Sequence, residues 1–167
     1  MKTNLTLILA LLFVTNLFGQ KTYDEVGSFG FYKNSWAQVK LNDKYGFIDK
    51  DGNEVVKPIY DEIGSFGFIK KNWAMVTVNG KMGFIDNKGN EVVPTIYEEI
   101  GSFGFYKDNW SLVKRNGKLG FIDKDGNEVV PTKYDEIGSF GFIKKNWAQV
   151  KINDKLAFID KKGNEIN

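Results

Sequence analysis

The chain repeats itself at a fixed period of 37 residues. Tyr23, Tyr60, Tyr97 and Tyr134 recur at that spacing, and so do Trp36, Trp73, Trp110 and Trp147, the only tryptophans. Gly-Ser-Phe-Gly-Phe starts at Gly27, Gly64, Gly101 and Gly138. Phe-Ile-Asp starts at Phe47, Phe84, Phe121 and Phe158, and Gly-Asn-Glu at Gly52, Gly89, Gly126 and Gly163. No insertion interrupts the period. A unit this short cannot bury its own apolar surface, so its copies must stack. The units are 23–59, 60–96, 97–133 and 134–167, the last a little shorter than the others.

Each unit reads as β-structure. In the second, Trp73 to Val78 is followed by Asn79-Gly80 and then by Lys81 to Asp86. Asn-Gly is the strongest short hairpin signal, because both residues tolerate the positive φ of a type I′ turn. Asn116-Gly117 repeats it, and Asn42-Asp43 and Asn153-Asp154 make the same turn less comfortably. A second turn at Asn87-Lys88-Gly89-Asn90 leads to a third strand, Glu91-Val92-Val93, closed at Pro94 or its neighbour. Tyr97 to Ile100 adds a short fourth strand. Pairing through the two-residue turn puts Ala74 opposite Ile85 and Val76 opposite Gly83 on one face. Trp73, Met75, Phe84 and Val93 share the other. Both faces are apolar, so both are expected to be covered.

Composition excludes several classes of function. The chain is 42% hydrophobic and 15% aromatic, too apolar for a disordered segment. It has no Cys, hence no disulfide framework, thiolate metal site or thiol nucleophile. It has no His, the commonest general base and metal ligand. A net charge of +2 provides no basic field for nucleic acid. No cofactor is implied, and an enzyme is not expected.

The first residues differ from the rest. Lys2 precedes Leu5 to Val14, apolar except for Thr6, and a small residue follows at Gly19. This is the pattern of a secretory signal peptide, 1–19, cut between Gly19 and Gln20, with 20–22 a short leading segment. As helix the apolar core spans roughly 15 Å, about half a bilayer's hydrocarbon, so it is not expected to anchor the chain. The expected location is extracytoplasmic, with no membrane span after cleavage.

The motifs Ala-x-Val, Asn-Gly-Lys-x-Gly-Phe-Ile-Asp, Gly-Asn-Glu-Val-Val-Pro and Tyr-Asp-Glu-Ile resemble those of the WG-repeat (KWG-type) family of bacterial β-repeat proteins. The resemblance covers 23–167. The pair that names the family is replaced here by Tyr45-Gly46, Met82-Gly83, Leu119-Gly120 and Leu156-Ala157. A Trp instead precedes each Ala-x-Val strand. The family implies a modular or extracytoplasmic scaffold and carries over no catalytic residue. The signal segment and its Gly-Gln junction resemble those of secreted Bacteroidota proteins.

The expected fold is all-β: four meander or hairpin repeats stacked as an open superhelix or solenoid, with a small four-bladed propeller as the alternative. The expected function is a secreted, non-catalytic scaffold that binds a protein or glycan through repeated equivalent surfaces. The alternative is a structural envelope component that self-associates. Trp36, Trp73, Trp110 and Trp147 are the candidate ligand-binding residues, since a Trp series could stack on sugar rings or grip a peptide. Phe47 and its copies share their face, which favours a core role instead. Phe29 and Phe31, with their copies, could be exposed anchors for a partner, but are expected to fold back and plug the sheet ends. Asp49-Lys50-Asp51-Gly52-Asn53-Glu54 has oxygen ligands in calcium-loop style, but Lys88 and Lys162 stand in its middle slot in two copies, so a plain turn is expected. The acid pairs Asp61-Glu62, Glu98-Glu99 and Asp135-Glu136 point to opposite faces of a strand and do not converge. Lys33, Lys70, Lys107 and Lys144 pair with those acids or keep an edge soluble.

Overall fold

The computed structural model describes residues 21–33 and 35–166. The signal-peptide reading, 1–19, lies outside them. The described residues form four antiparallel meanders of four strands. The first sheet holds β1 (Glu25–Val26), β2 (Ala37–Leu41), β3 (Lys44–Ile48) and β4 (Glu54–Tyr60). The second holds β5 (Glu62–Ile63), β6 (Trp73–Val78), β7 (Lys81–Asp86) and β8 (Glu91–Tyr97). The third holds β9 (Glu99–Ile100), β10 (Trp110–Arg115), β11 (Lys118–Asp123) and β12 (Glu128–Tyr134). The fourth holds β13 (Glu136–Ile137), β14 (Trp147–Ile152), β15 (Lys155–Asp160) and β16 (Glu165–Ile166).

The central hairpins form as the turn residues demand. Asn79 and Gly80 have φ of 50° and 72°, and Asn42 and Asp43 have 51° and 60°. Both central residues are left-handed, as a type I′ turn requires. The register pairs Ala74 with Ile85 and Val76 with Gly83, the arrangement expected from the turn.

The outer strands differ from the sequence reading. Pro94 does not close the third strand, which runs on to Tyr97. This is the last strand of its sheet, and an edge tolerates a residue without an N–H. Tyr60, Tyr97 and Tyr134 therefore end one sheet, and the second acid after each, Glu62, Glu99 or Glu136, opens the next. The expected single strand from Tyr97 to Ile100 is split between two sheets.

A glycine fixes the bend between the last two long strands of a sheet. A Cβ on Gly46, Gly83 or Gly120 would lie 2.4–2.5 Å from the carbonyl oxygen of Val56, Val93 or Val130. The register shifts at that point in each sheet. Gly46, Gly83 and Gly120 thus serve close backbone approach, whatever aromatic or aliphatic residue precedes them, and Ala157 stands at that position in the fourth sheet.

The sheets stack through two unlike faces. Each rear face carries Trp, Phe, Val and Tyr; each front face carries Ile, small residues and Val. Trp36, Phe47, Val56 and Tyr60 of the first sheet pack on Ile63, Ala74, Val76 and Ile85 of the second. Trp73, Phe84, Val93 and Tyr97 pack on Val113 and Ile122 of the third. Trp110, Phe121, Val130 and Tyr134 pack on Ile137, Ala148, Val150 and Ile159 of the fourth. Among the described residues, substantial strand contacts between sheets join consecutive ones. The array is an open β-solenoid and not a closed propeller.

The close approach at Gly83 gives a direct test. Gly83→Ala must push back Val93, and overpacking of this kind costs about 2 kcal/mol. Chemical denaturation is expected to show that loss.

Candidate functional site

The connector before each long hairpin carries an exposed phenylalanine in every repeat. In the second repeat it is held by the Gly64 amide donating to the Met75 carbonyl at 2.8 Å, Gly67 to Trp73 at 3.0 Å, and Trp73 to Lys70 at 2.9 Å. Gly67 has φ of 91°, and Gly30, Gly104 and Gly141 match it within a few degrees. That left-handed residue sits between the two phenylalanines and parts them.

The two phenylalanines have opposite fates. Phe66, Phe103 and Phe140 meet Trp36, Trp73 and Trp110 of the preceding sheet edge-on, at 5.9–6.2 Å between ring centres. They plug the sheet-to-sheet seam, as expected for the pair. Phe31, Phe68, Phe105 and Phe142 do not. They are 79–89% exposed. The sequence reading treated the pair as one element and sent both rings inward, with exposed anchors as the alternative; the structure divides them. The available signal was the Gly between the rings, which sends neighbouring side chains different ways.

The tryptophans lie elsewhere. Trp36, Trp73 and Trp110 are only 5–7% exposed, within the seams. Each stands against a Phe of its own sheet at 5.4 Å. Trp147 is half-buried. One face of each indole is further occupied by a lysine of its own connector: Lys33, Lys70, Lys107 and Lys144 place Nζ 3.6–4.1 Å from the ring centre.

Three of those lysines tie consecutive repeats together. Lys33 Nζ donates to the Asn87 carbonyl at 2.5 Å. Lys70 and Lys107 donate to the carbonyls of Lys124 and Lys161. Each acceptor lies in a turn of the following sheet. The expected pairing of these lysines with the acid pairs does not occur in these contacts. Burial, and then the neighbouring Lys161 charge, pushes the Lys107 ammonium below its ordinary value. Cation–π attraction and the carbonyl offset that desolvation.

The acid pairs also work structurally. Glu98 accepts from Lys81 Nζ at 2.9 Å and from the Asn116 and Gly117 amides at 3.0 Å. Asp61 accepts from Lys44 and from the Asn79 amide, and Asp135 from Lys118 and the Asn153 amide. Each first acid therefore joins a lysine of one sheet to the hairpin turn of the next. Two of the second acids form cross-strand pairs, Glu99 with Lys114 at 3.0 Å and Glu136 with Lys151 at 3.2 Å. The Asp49 turn is closed on itself: Asp49 accepts from the Asp51 and Asn53 amides at 3.0 and 2.8 Å. Among the described residues, no three acidic, Cys or His side chains group as a metal site.

The family described as "WG containing repeat" matches residues 20–45, 45–81, 82–118 and 120–155. The chain belongs to that family. No curated protein matches the chain. No helix among the described residues is long and apolar enough to cross a membrane.

The linking acids predict an acid limb in stability. Lys44, Lys81 and Lys118 first, then turn amides, hold Asp61, Glu98 and Asp135 below the ordinary carboxylate range. Such groups contribute stability above their unfolded pKa and lose it as pH falls through the folded value. The thermal midpoint is expected to be flat down to about pH 5 and to fall below about pH 4. The D61N/E98Q/D135N variant should melt earlier at neutral pH and show a shallower acid fall. An identical acid fall would assign it to other carboxylates.

Proposed function

We propose that the chain is an exported, non-catalytic repeat scaffold that holds a protein or glycan partner through equivalent surfaces. The observation that carries this reading is the phenylalanine series Phe31, Phe68, Phe105 and Phe142, one exposed aromatic per repeat on the same connector. An exposed ring is an ordinary feature singly; the same ring kept outside in all four repeats is a recurrent contact point. Four weak equivalent contacts give avidity when a partner engages several at once. The acid pairs support a non-catalytic reading, since their first carboxylates are occupied by lysines and turn amides. Export rests on the 1–19 signal pattern, which supports a location beyond the inner membrane. A second reading, a structural envelope component that self-associates, is favoured by the half-exposed rear face of the fourth sheet.

The test is binding by the exported chain to envelope proteins and to a polysaccharide panel. Phe68→Ala should weaken binding by about tenfold, the scale of one apolar anchor. Replacing all four phenylalanines by Ala should abolish it, with the thermal midpoint unchanged. Full binding by the fourfold variant would overturn the reading.

A further inference from the structure

Each sheet puts its connector and its second turn at the same end of its strands. Trp73, which closes the connector, pairs with Asp86, which opens the second turn. The hairpin turn at Asn79-Gly80 lies at the other end. The lysine ties seat each connector beside the second turn of the following sheet. Connectors and second turns therefore line one side of the stack, and the four exposed phenylalanines all stand on it. Stacked sheets lie ~10 Å apart, so the connectors recur at about that interval.

Charge is handled differently at the two ends of the strands. At the hairpin end, Lys44, Lys81, Lys114, Lys118 and Lys151 are ion-paired. At the connector end, Lys71, Lys124, Lys145, Lys161 and Lys162 are exposed. Their ammonium groups make no ion pair or hydrogen bond among the described residues. The carbonyls of Lys124 and Lys161 receive the ties, which leaves both side chains outside. The acids at this end are mostly engaged. Asp86, Asp123 and Asp160 accept amides of their own turns, and Asp125 lies 3.8 Å from Lys70. Asp51 and Asp108 are exposed. Asn72, Asn109 and Asn146 add an exposed carboxamide to their connectors.

This side of the stack thus offers a bare aromatic ring at every interval, with carboxamides and unpaired cations around it. A protein partner would need a repeat of its own to answer all four rings. A polysaccharide presents the same sugar at every step. The C–H face of a sugar stacks on an aromatic ring. A carboxamide donates to and accepts from hydroxyls, and a free ammonium group answers a carboxylate. We propose that the connector side of the stack binds an acidic polysaccharide, its sugar rings on the exposed phenylalanines and its carboxylates toward the unpaired lysines. The proposal rests on the reading of the phenylalanines as contact points and names their ligand.

The experiment is calorimetric titration of the protein with polygalacturonate and with alginate, both chains of uronate sugars, at several salt concentrations. Methyl-esterified polygalacturonate, polyglutamate and phosphatidylglycerol vesicles are the comparison probes. The expected result is binding to the uronate chains that weakens as salt rises, and little binding to the comparison probes. The K71Q/K124Q/K145Q/K161Q/K162Q variant changes exposed side chains only, and circular dichroism and the thermal midpoint verify its fold. It should lose about tenfold in affinity, the scale of five weak exposed contacts, and most of the salt dependence. Phe68→Ala should weaken binding and keep the salt dependence. Equal binding of the methyl ester would overturn the acidic assignment. Equal or tighter binding of polyglutamate or of the vesicles would overturn the sugar. Phenylalanine-dependent binding of an envelope protein, with none of either uronate chain, would overturn this ligand and leave the contact-point reading standing. Uronate binding that survives replacement of all four phenylalanines would overturn both.

Discussion

The structure depends on the difference between the two faces of each sheet. A rear face of Trp, Phe, Val and Tyr needs a flat, small-residue surface opposite it, and the front face of Ala, Val and Ile provides one. Stacking therefore has a direction, and every unit can follow any other. This is why the chain tolerates near-copies of one unit without becoming ambiguous: the register within each sheet is set by the turn, and the order of sheets by the chain.

Polar ties sharpen the stack at two places. The Trp-bound lysine must give up water to lie over the indole, and the carbonyl it then finds belongs to the next repeat. The linking acid gathers a lysine from its own side of the seam and amides from the other. Exposed ion pairs of this sort contribute little singly. Their role here is geometric, because each is satisfied only when the next sheet is seated in one position. Apolar burial supplies the bulk of the seam's stability, and the ties select its alignment.

The hairpins, their register and the two apolar faces were legible because they follow from local rules. Asn79-Gly80 sets the turn, and alternation through Ala74, Val76 and Ile85 sets the face. The strand ends were not. Pro94 reads as a stop, and only the knowledge that β8 is an edge strand makes it harmless. The lysine ties were illegible for another reason. Lys33 and Asn87 belong to different repeats, and nothing local couples them. The exposed phenylalanines fell between these cases: the glycine that parts Phe66 from Phe68 is visible in the sequence, but which ring turns inward depends on where the neighbouring Trp36 lies.

One departure from the repeat acquires meaning only through the fold. Glycine follows Tyr45, Met82 and Leu119 because the last long strand of each sheet passes within contact distance of that position. After Leu156 the residue is Ala157. The described part of the fourth sheet's last strand is Glu165–Ile166, which pairs with Phe158 and Ile159 and does not reach that position. The methyl group is thus admitted where the close approach is missing.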